Sequence, residues 1–251
     1  MKRSVNSLIG YTIKAKDGEL GKVSEFYFDD HTWSIRYLVV ETGSWLNERK
    51  VLIPHSALGT TDWKSQTFQV NLTMEQISNS PDVETKKTVS RQQEIQLYTH
   101  YGLPVYWGNV FYDGVGMASY VPMLETIPVK EEKKSVKTPP DDPHLRSTDK
   151  VEGYYIHAND GEIGHVEDYI VDDEKWNIRY LIVDTTNWLP GRKVLILPRW
   201  ITRIDWVESK VYVNLSLESI KNSPEFDSSQ MVGGEYEKEL LDHYGDSLEP
   251  W

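Results

Sequence analysis

The sequence predicts a mainly β protein: two tandem small β-barrels, each of about five or six strands and each followed by short C-terminal helices. Three observations carry this reading. The 251-residue chain matches itself at an offset of 143 residues, each copy is dense in short strand signals punctuated by turns, and the first copy ends on helix-capping patterns.

The repeat sets the domain organisation. "RSVNSLIGY" from Arg3 returns as "RSTDKVEGY" from Arg146, and "DGELGKV" from Asp17 as "DGEIGHV" from Asp160. "DDHTWSIRYLVVETGSWLNERKVLI" from Asp29 returns as "DDEKWNIRYLIVDTTNWLPGRKVLI" from Asp172. Between 17 and 53, 21 of 37 positions are identical to their counterparts, and between 62 and 81, 10 of 20. The unit is about a hundred residues long, a duplicated domain and not a solenoid repeat of roughly 20–50 residues. The division expected is a first barrel with its helical appendage at 1–102, a connecting stretch at 103–144, and a second barrel with its appendage at 145–251.

Each element has a local reason. Asp17-Gly18 and Asp160-Gly161 read as hairpin turn pairs, because glycine tolerates the positive φ such turns need. From Trp33 to Val40 the run alternates at first, with Trp33, Ile35, Tyr37 and Val39 on one face. The other face is polar at Ser34 and Arg36, then apolar at Leu38 and Val40. Further strands are expected at 50–53, near Trp63 and at 67–72. Thr73 and Gln76 form a capping-box pattern for a short helix that Pro81 ends. Ser90 and Gln93 repeat it before a helix that Gly102 can close in the left-handed conformation.

Read together, "GYxIxAxDGxxGxVxD", "DDxxWxIRYLxVxT", "WLxxRKVLI" and "VNLTxExIxNSP" resemble the PRC-barrel family over roughly 3–102 and 146–245. Related domains end the photosynthetic reaction-centre H subunit and the ribosome-maturation protein RimM. The resemblance implies a module for protein contact and assembly, and it implies no catalytic mechanism.

Composition narrows the function classes. The chain has no cysteine, which removes disulfides, thiolate metal sites and cysteine nucleophiles together. No apolar run of signal-peptide length follows the basic start. The stretch 103–124 is too interrupted by Pro and Gly to make a good spanning helix, so a soluble cytoplasmic protein is expected. Of the net charge of −12, residues 151–251 alone hold twenty acidic against nine basic groups, whereas residues 1–80 balance nine against nine. An acidic surface repels phosphate backbones, so nucleic acid is not an expected partner.

Several constellations invite chemistry and are outweighed by structural readings. Asp29-Asp30 and Asp172-Asp173 read as polar turns rather than acid–base or cation sites. His157 and His165 are expected on opposite faces of a hairpin, which disfavours a metal. His100 and His243 read as helix-end caps, and Arg36 and Arg179 as ion-pair partners within the sheet. Trp45 with Leu46, and Trp188 with Leu189, fall between two strands. They either anchor a partner protein, since interface hot spots are rich in Trp, or plug the barrel mouths. No catalytic residue, metal or cofactor is expected. The function expected is a non-catalytic interaction or assembly module whose partner is a protein, a further copy of the chain included. The alternatives are a small-molecule or pigment sensor using the aromatic stretch 103–124, and an enzyme with a site between the barrels. Residues 145–251 are expected to fold alone, because each copy carries its own alternating core.

Overall fold

The computed structural model describes residues 1–46, 48–81, 89, 91–106, 144–185, 192–228 and 232–246. The first copy holds β1 (Lys2–Ser4), β2 (Thr12–Ala15), β3 (Gly18–Asp29), β4 (Ile35–Glu41), β5 (Lys50–Pro54), β6 (Leu58–Asp62) and β7 (Thr67–Val70). Helices α1 (Met74–Ser78) and α2 (Arg91–Tyr101) follow. The second copy holds β8 (Leu145–Ser147), α3 (Thr148–Val151), β9 (Tyr155–Ala158), β10 (Gly161–Asp172), β11 (Asn177–Asp184) and β12 (Lys193–Ile196). It ends with β13 (Ile201–Asp205), β14 (Lys210–Val213), α4 (Leu217–Lys221) and α5 (Gly234–Tyr244). The predicted class holds. Two seven-stranded sheets have equivalent strand paths, β5-β4-β3-β2-β7-β6 and β12-β11-β10-β9-β14-β13. Among the described residues no helix is long and apolar enough to cross a membrane.

The seventh strand of each sheet comes from the other copy. β1 pairs antiparallel with β10, and β8 pairs antiparallel with β3. Lys2 lies opposite Asp172 and Leu145 opposite Asp29, positions that the 143-residue offset interconverts. The exchange is therefore reciprocal, and the expected boundary before residue 145 cuts through the first sheet. A three-residue strand cannot hold itself. The fragment 145–251 thus keeps β10 without its partner β1, and carries β8 without its partner β3.

A second seam links the copies. Ser34 bridges its own counterpart, Asn177. Ile35 N donates to Trp176 O and Ile178 N to Trp33 O, both at 2.7 Å. Trp33 was expected to share a strand face with Ile35, but it stands in a turn with φ +56°, as Trp176 does. Asp29 Oδ1 accepts from His31 N and Thr32 N, which winds the chain into that turn before the strand begins. A non-glycine residue in the left-handed region is uncommon. Here it aims the two tryptophan carbonyls at the opposite copy.

The hairpin turns sit one residue earlier than expected. Ala15 pairs with Gly18 and Ala158 with Gly161, so the turn residues are Lys16 with Asp17 and Asn159 with Asp160. Each aspartate has a long-range task. Asp17 Oδ1 accepts from Met74 N at 2.8 Å and Asp160 Oδ1 from Leu217 N at 2.7 Å, which caps the short helix that follows the barrel. A bulge then follows in each hairpin. Gly21 and Gly164 pass so close to the next strand that a Cβ would lie 1.9 Å from Glu41 O and 2.1 Å from Asp184 O.

The helical appendages follow their caps. The Thr73–Gln76 capping box is present, and Ser216 with Ser219 repeats it. Ser90 lies outside the described residues, but α2 ends as expected on Gly102 at φ +65°. His100 Nε2 donates to Gln76 O at 2.6 Å and His243 Nε2 to Ser219 O at 2.8 Å. A carbonyl only accepts, so each imidazole carries its proton on Nε2 and ties the long helix to the short one. The core is heavily aromatic and aliphatic: Tyr27, Phe26, Phe28, Tyr37 and Phe68 are all buried in the first copy, and Tyr169, Leu181 and Val211 in the second.

A chain nicked at a protease site inserted after Glu125 is expected to elute as one species on native size exclusion. The two halves should part only in denaturant. Native separation would show that the exchanged strands do not hold the copies together.

Candidate functional site

Each exchanged strand is locked by the same three contacts. Ser4 Oγ donates to Asp168 Oδ2 and, in the counterpart position, Ser147 Oγ donates to Glu25 Oε2. Arg3 Nε donates to Asp173 Oδ2 at 2.5 Å while its guanidinium lies 3.5 Å from the centroid of the Trp63 ring. Arg146 Nε donates to Asp30 Oδ2 at 2.8 Å and stacks 3.8 Å from the Trp206 ring centroid. Each arginine thus pairs with a carboxylate of the sheet it joins and an aromatic face of the other, which combines a charge-assisted bond with a cation–π contact. Burial pushes the Glu25 and Asp168 carboxyls up, and the serine hydroxyls oppose the shift.

The third contact is a buried glutamate on the long helix. Glu94 Oε1 accepts from Tyr37 Oη at 3.1 Å and Tyr106 Oη at 3.0 Å, and Glu94 Oε2 lies 3.2 Å from His144 Nε2. Glu237, its counterpart, accepts from Tyr180 Oη at 2.5 Å and pairs with Lys2 Nζ at 2.5 Å. In each case the cationic or imidazole partner comes from the start of the other copy. Burial beside a carboxylate pushes the Tyr37 and Tyr180 hydroxyls well up, so both remain donors. Tyr106 and His144 meet at 3.5 Å, so the chain leaves for residues 107–143 and returns at one point.

A cleft of about 710 Å³ opens where the sheets meet. The Asp30–Trp33 turn forms one wall. Arg179, Arg199 and the consecutive Ile201, Thr202, Arg203 and Ile204 form the other. The copies differ here. Trp176 is buried against Phe26 and Phe68, with centroids 6.1 Å and 5.8 Å away. Its counterpart Trp33 stacks on Phe28 at 5.2 Å and is only half-buried. Val211 stands where Phe68 stands in the first copy, and Arg199 and Arg203 stand where Ser56 and Thr60 do. The cleft is thus lined by residues that set the second copy apart from the first.

The sequence-predicted positions fall unevenly. Leu46 is half-buried against the core, while the side chain of Trp45 and all of Trp188 and Leu189 lie outside the described residues. Of the aromatic stretch, Leu103, Val105 and Tyr106 pack on the core and 107–124 lie outside the described residues. Arg36 pairs with Asp29 Oδ2 at 3.7 Å and covers the Tyr106 ring at 3.7 Å, the structural role expected of it. Asp29 and Asp172 build turns through Oδ1, while Asp30 and Asp173 hold the exchanged arginines. Asp29, Asp30 and His31 also gather ligand atoms within 4.8 Å of one another. Arg146 on Asp30 and two backbone N–H groups on Asp29 compete with a cation there. The opposite-face expectation for the histidines is corrected. His157 pairs with Glu162 and His165 with Tyr155, so the bulge between them puts both on one face. His157 there meets Glu162 Oε2 at 3.5 Å and the Tyr212 ring. The sequence reading missed Glu94, Glu237, Lys2, His144 and the arginine clamps. The signal for the glutamates and the clamps was the recurrence of Glu94 as Glu237 and Arg3 as Arg146 in the repeat, whereas Lys2 and His144, whose counterparts are Leu145 and Met1, had none.

The PRC-barrel domain family model matches residues 2–73. No curated protein matches the chain.

Arg146→Ala should cost about 2 kcal/mol in denaturant unfolding, the scale of a charge-assisted hydrogen bond plus a cation–π contact. A change within about 0.5 kcal/mol, the range of ordinary surface substitutions, would deny the clamp its role. Glu25→Gln tests the seam through pH. A folded pKa raised above 4.5 contributes stability below that value, and the contribution is lost as pH rises through the folded pKa. The stability of Glu25→Gln relative to the parent should therefore rise from pH 4.5 upward. A pH-independent difference between the two would contradict the assignment.

Proposed function

We propose that this protein, whose residues 2–73 form a PRC-barrel domain, is a non-catalytic interaction module made of two such barrels fused into an internal dimer. The observation that carries the reading is the seam. Reciprocal strands, paired arginine clamps and the Ser34–Asn177 bridge hold the copies in one arrangement and leave an open cleft between them. A fixed relation between two surfaces is what a docking platform requires, because ordering on binding then costs little. The titratable groups of the seam are spent on structure: Asp30 and Asp173 on arginines, Glu94 and Glu237 on tyrosines and on the partner copy. The PRC-barrel match over residues 2–73 supports the same reading, and the second copy is taken for a barrel of the same kind from its repeated motifs and equivalent strand path.

The test is affinity purification of the full chain from its native host after mild cross-linking. A protein recovered in a fixed molar ratio, and lost when Arg3→Ala and Arg146→Ala loosen the seam, is the expected result. Recovery of the chain alone would overturn the reading.

A further inference from the structure

The wall of the cleft contains four consecutive residues of β13: Ile201, Thr202, Arg203 and Ile204. Side chains alternate along a strand, so a cavity facing one surface of a sheet meets every second residue. Four in a row, across the bulge between Ile201 and Arg203, place the cavity on more than one face of a strand that ends its sheet path. β13 is the last strand of its path, bonded on one side to β14, and among the described residues no ladder occupies its outer side. An open edge is a template for an incoming strand. The bulge between Ile201 and Arg203 confines regular pairing to the stretch from Arg203 onward, which suits a short segment.

The charge of the cleft states which segment. Residues 151–251 carry twenty acidic against nine basic groups, yet three of those nine, Arg179, Arg199 and Arg203, line this one cavity. Arg199 holds Asp246 at 2.7 Å, and Arg203 lies 3.8 Å from Asp205 with a side chain 60% exposed. A guanidinium presents five donors, more than one carboxylate can take up. Across the cleft, Asp30 Oδ1 is buried without a hydrogen-bond donor among the described residues, beside His31 Nε2 at 3.7 Å.

We propose that the cleft receives a short, extended, acidic segment of a partner protein, which adds to the outer edge of β13 and lays its carboxylates on Arg179, Arg199 and Arg203. This rests on the interaction-module reading and names the chemistry of the partner. Alternate side chains of the segment meet the apolar surface of Trp33, Ile201 and Ile204, and the carboxylates between them meet the guanidiniums.

The probe is an acetylated hexapeptide alternating glutamate and valine, titrated into the full chain at low ionic strength with Trp fluorescence as the readout. Three comparisons test it. The peptide with glutamine for glutamate should bind about tenfold more weakly, the loss of one or two charge-assisted hydrogen bonds. Arg203→Glu, at an exposed side chain, should weaken the glutamate peptide and spare the glutamine one. Methylating alternate backbone nitrogens of the peptide should abolish binding with the protein unchanged, since only edge pairing needs those N–H groups. Equal binding of both peptides, or binding indifferent to N-methylation, overturns the proposal. A native partner retained equally by the parent and by Arg203→Glu would sink the cleft assignment and leave the module reading standing, whereas a parent chain without a partner sinks the module reading itself.

Discussion

The strand at the start of each copy has its ladder in the other copy's sheet. Three residues make too few backbone hydrogen bonds to persist alone, so β1 and β8 exist only where they are received, against β10 and β3. Everything at the seam follows. The exchanged strands deliver Arg3 and Arg146 to Asp173 and Asp30, bring Ser4 and Ser147 to buried carboxylates, and carry Lys2 and His144 to the glutamates of the opposite helices. Ser34 facing its own counterpart, Asn177, marks where the approximate two-fold relation between copies passes.

The same constraint accounts for polar groups in an otherwise apolar interior. Glu94 and Glu237 are costly to bury and are tolerated because each is satisfied from two directions, by a tyrosine of its own barrel and by a basic or imidazole group of the other copy. A barrel that slid or exchanged with the wrong register would leave a carboxylate unpaired. The helices α2 and α5 are held by these contacts and by the histidines that reach back to α1 and α4.

Two copies bound by one symmetric seam have diverged beside it. The first copy fills the space around Trp176 with Phe26 and Phe68. The second has Val211 in the equivalent place of Phe68, leaves Trp33 half-buried, and carries Arg199 and Arg203 where the first has Ser56 and Thr60. One half of a symmetric frame is thus closed by aromatic packing while the other is an open, guanidinium-lined trough. The unequal distribution of charge along the chain has a local inversion at this point, against the acidity of the surrounding half.

The duplication, the mainly β class, the strands from Ile35 to Val70 and the capping box at Thr73 were legible from the amino acids, because each is written in spacing: a fixed offset, a period of two, a polar residue three before its partner. Arg36 as a structural cation and His100 and His243 at helix ends were legible for the same reason. The receiving strand of each exchange was not. A chain that matches itself at 143 residues reads identically whether Lys2 pairs with Asp29 or with Asp172, and three residues hold no pattern that prefers either. The bulge at Gly164 reversed the face of His165 because one extra residue changes the parity of everything beyond it. Glu94, Glu237 and the cleft arginines acquired roles only from side chains distant in the chain. Local sequence determined the elements and their caps through short-range periodicity, and the tertiary structure alone decided the seam and the cleft, because both arise from pairing between copies that are equivalent in sequence.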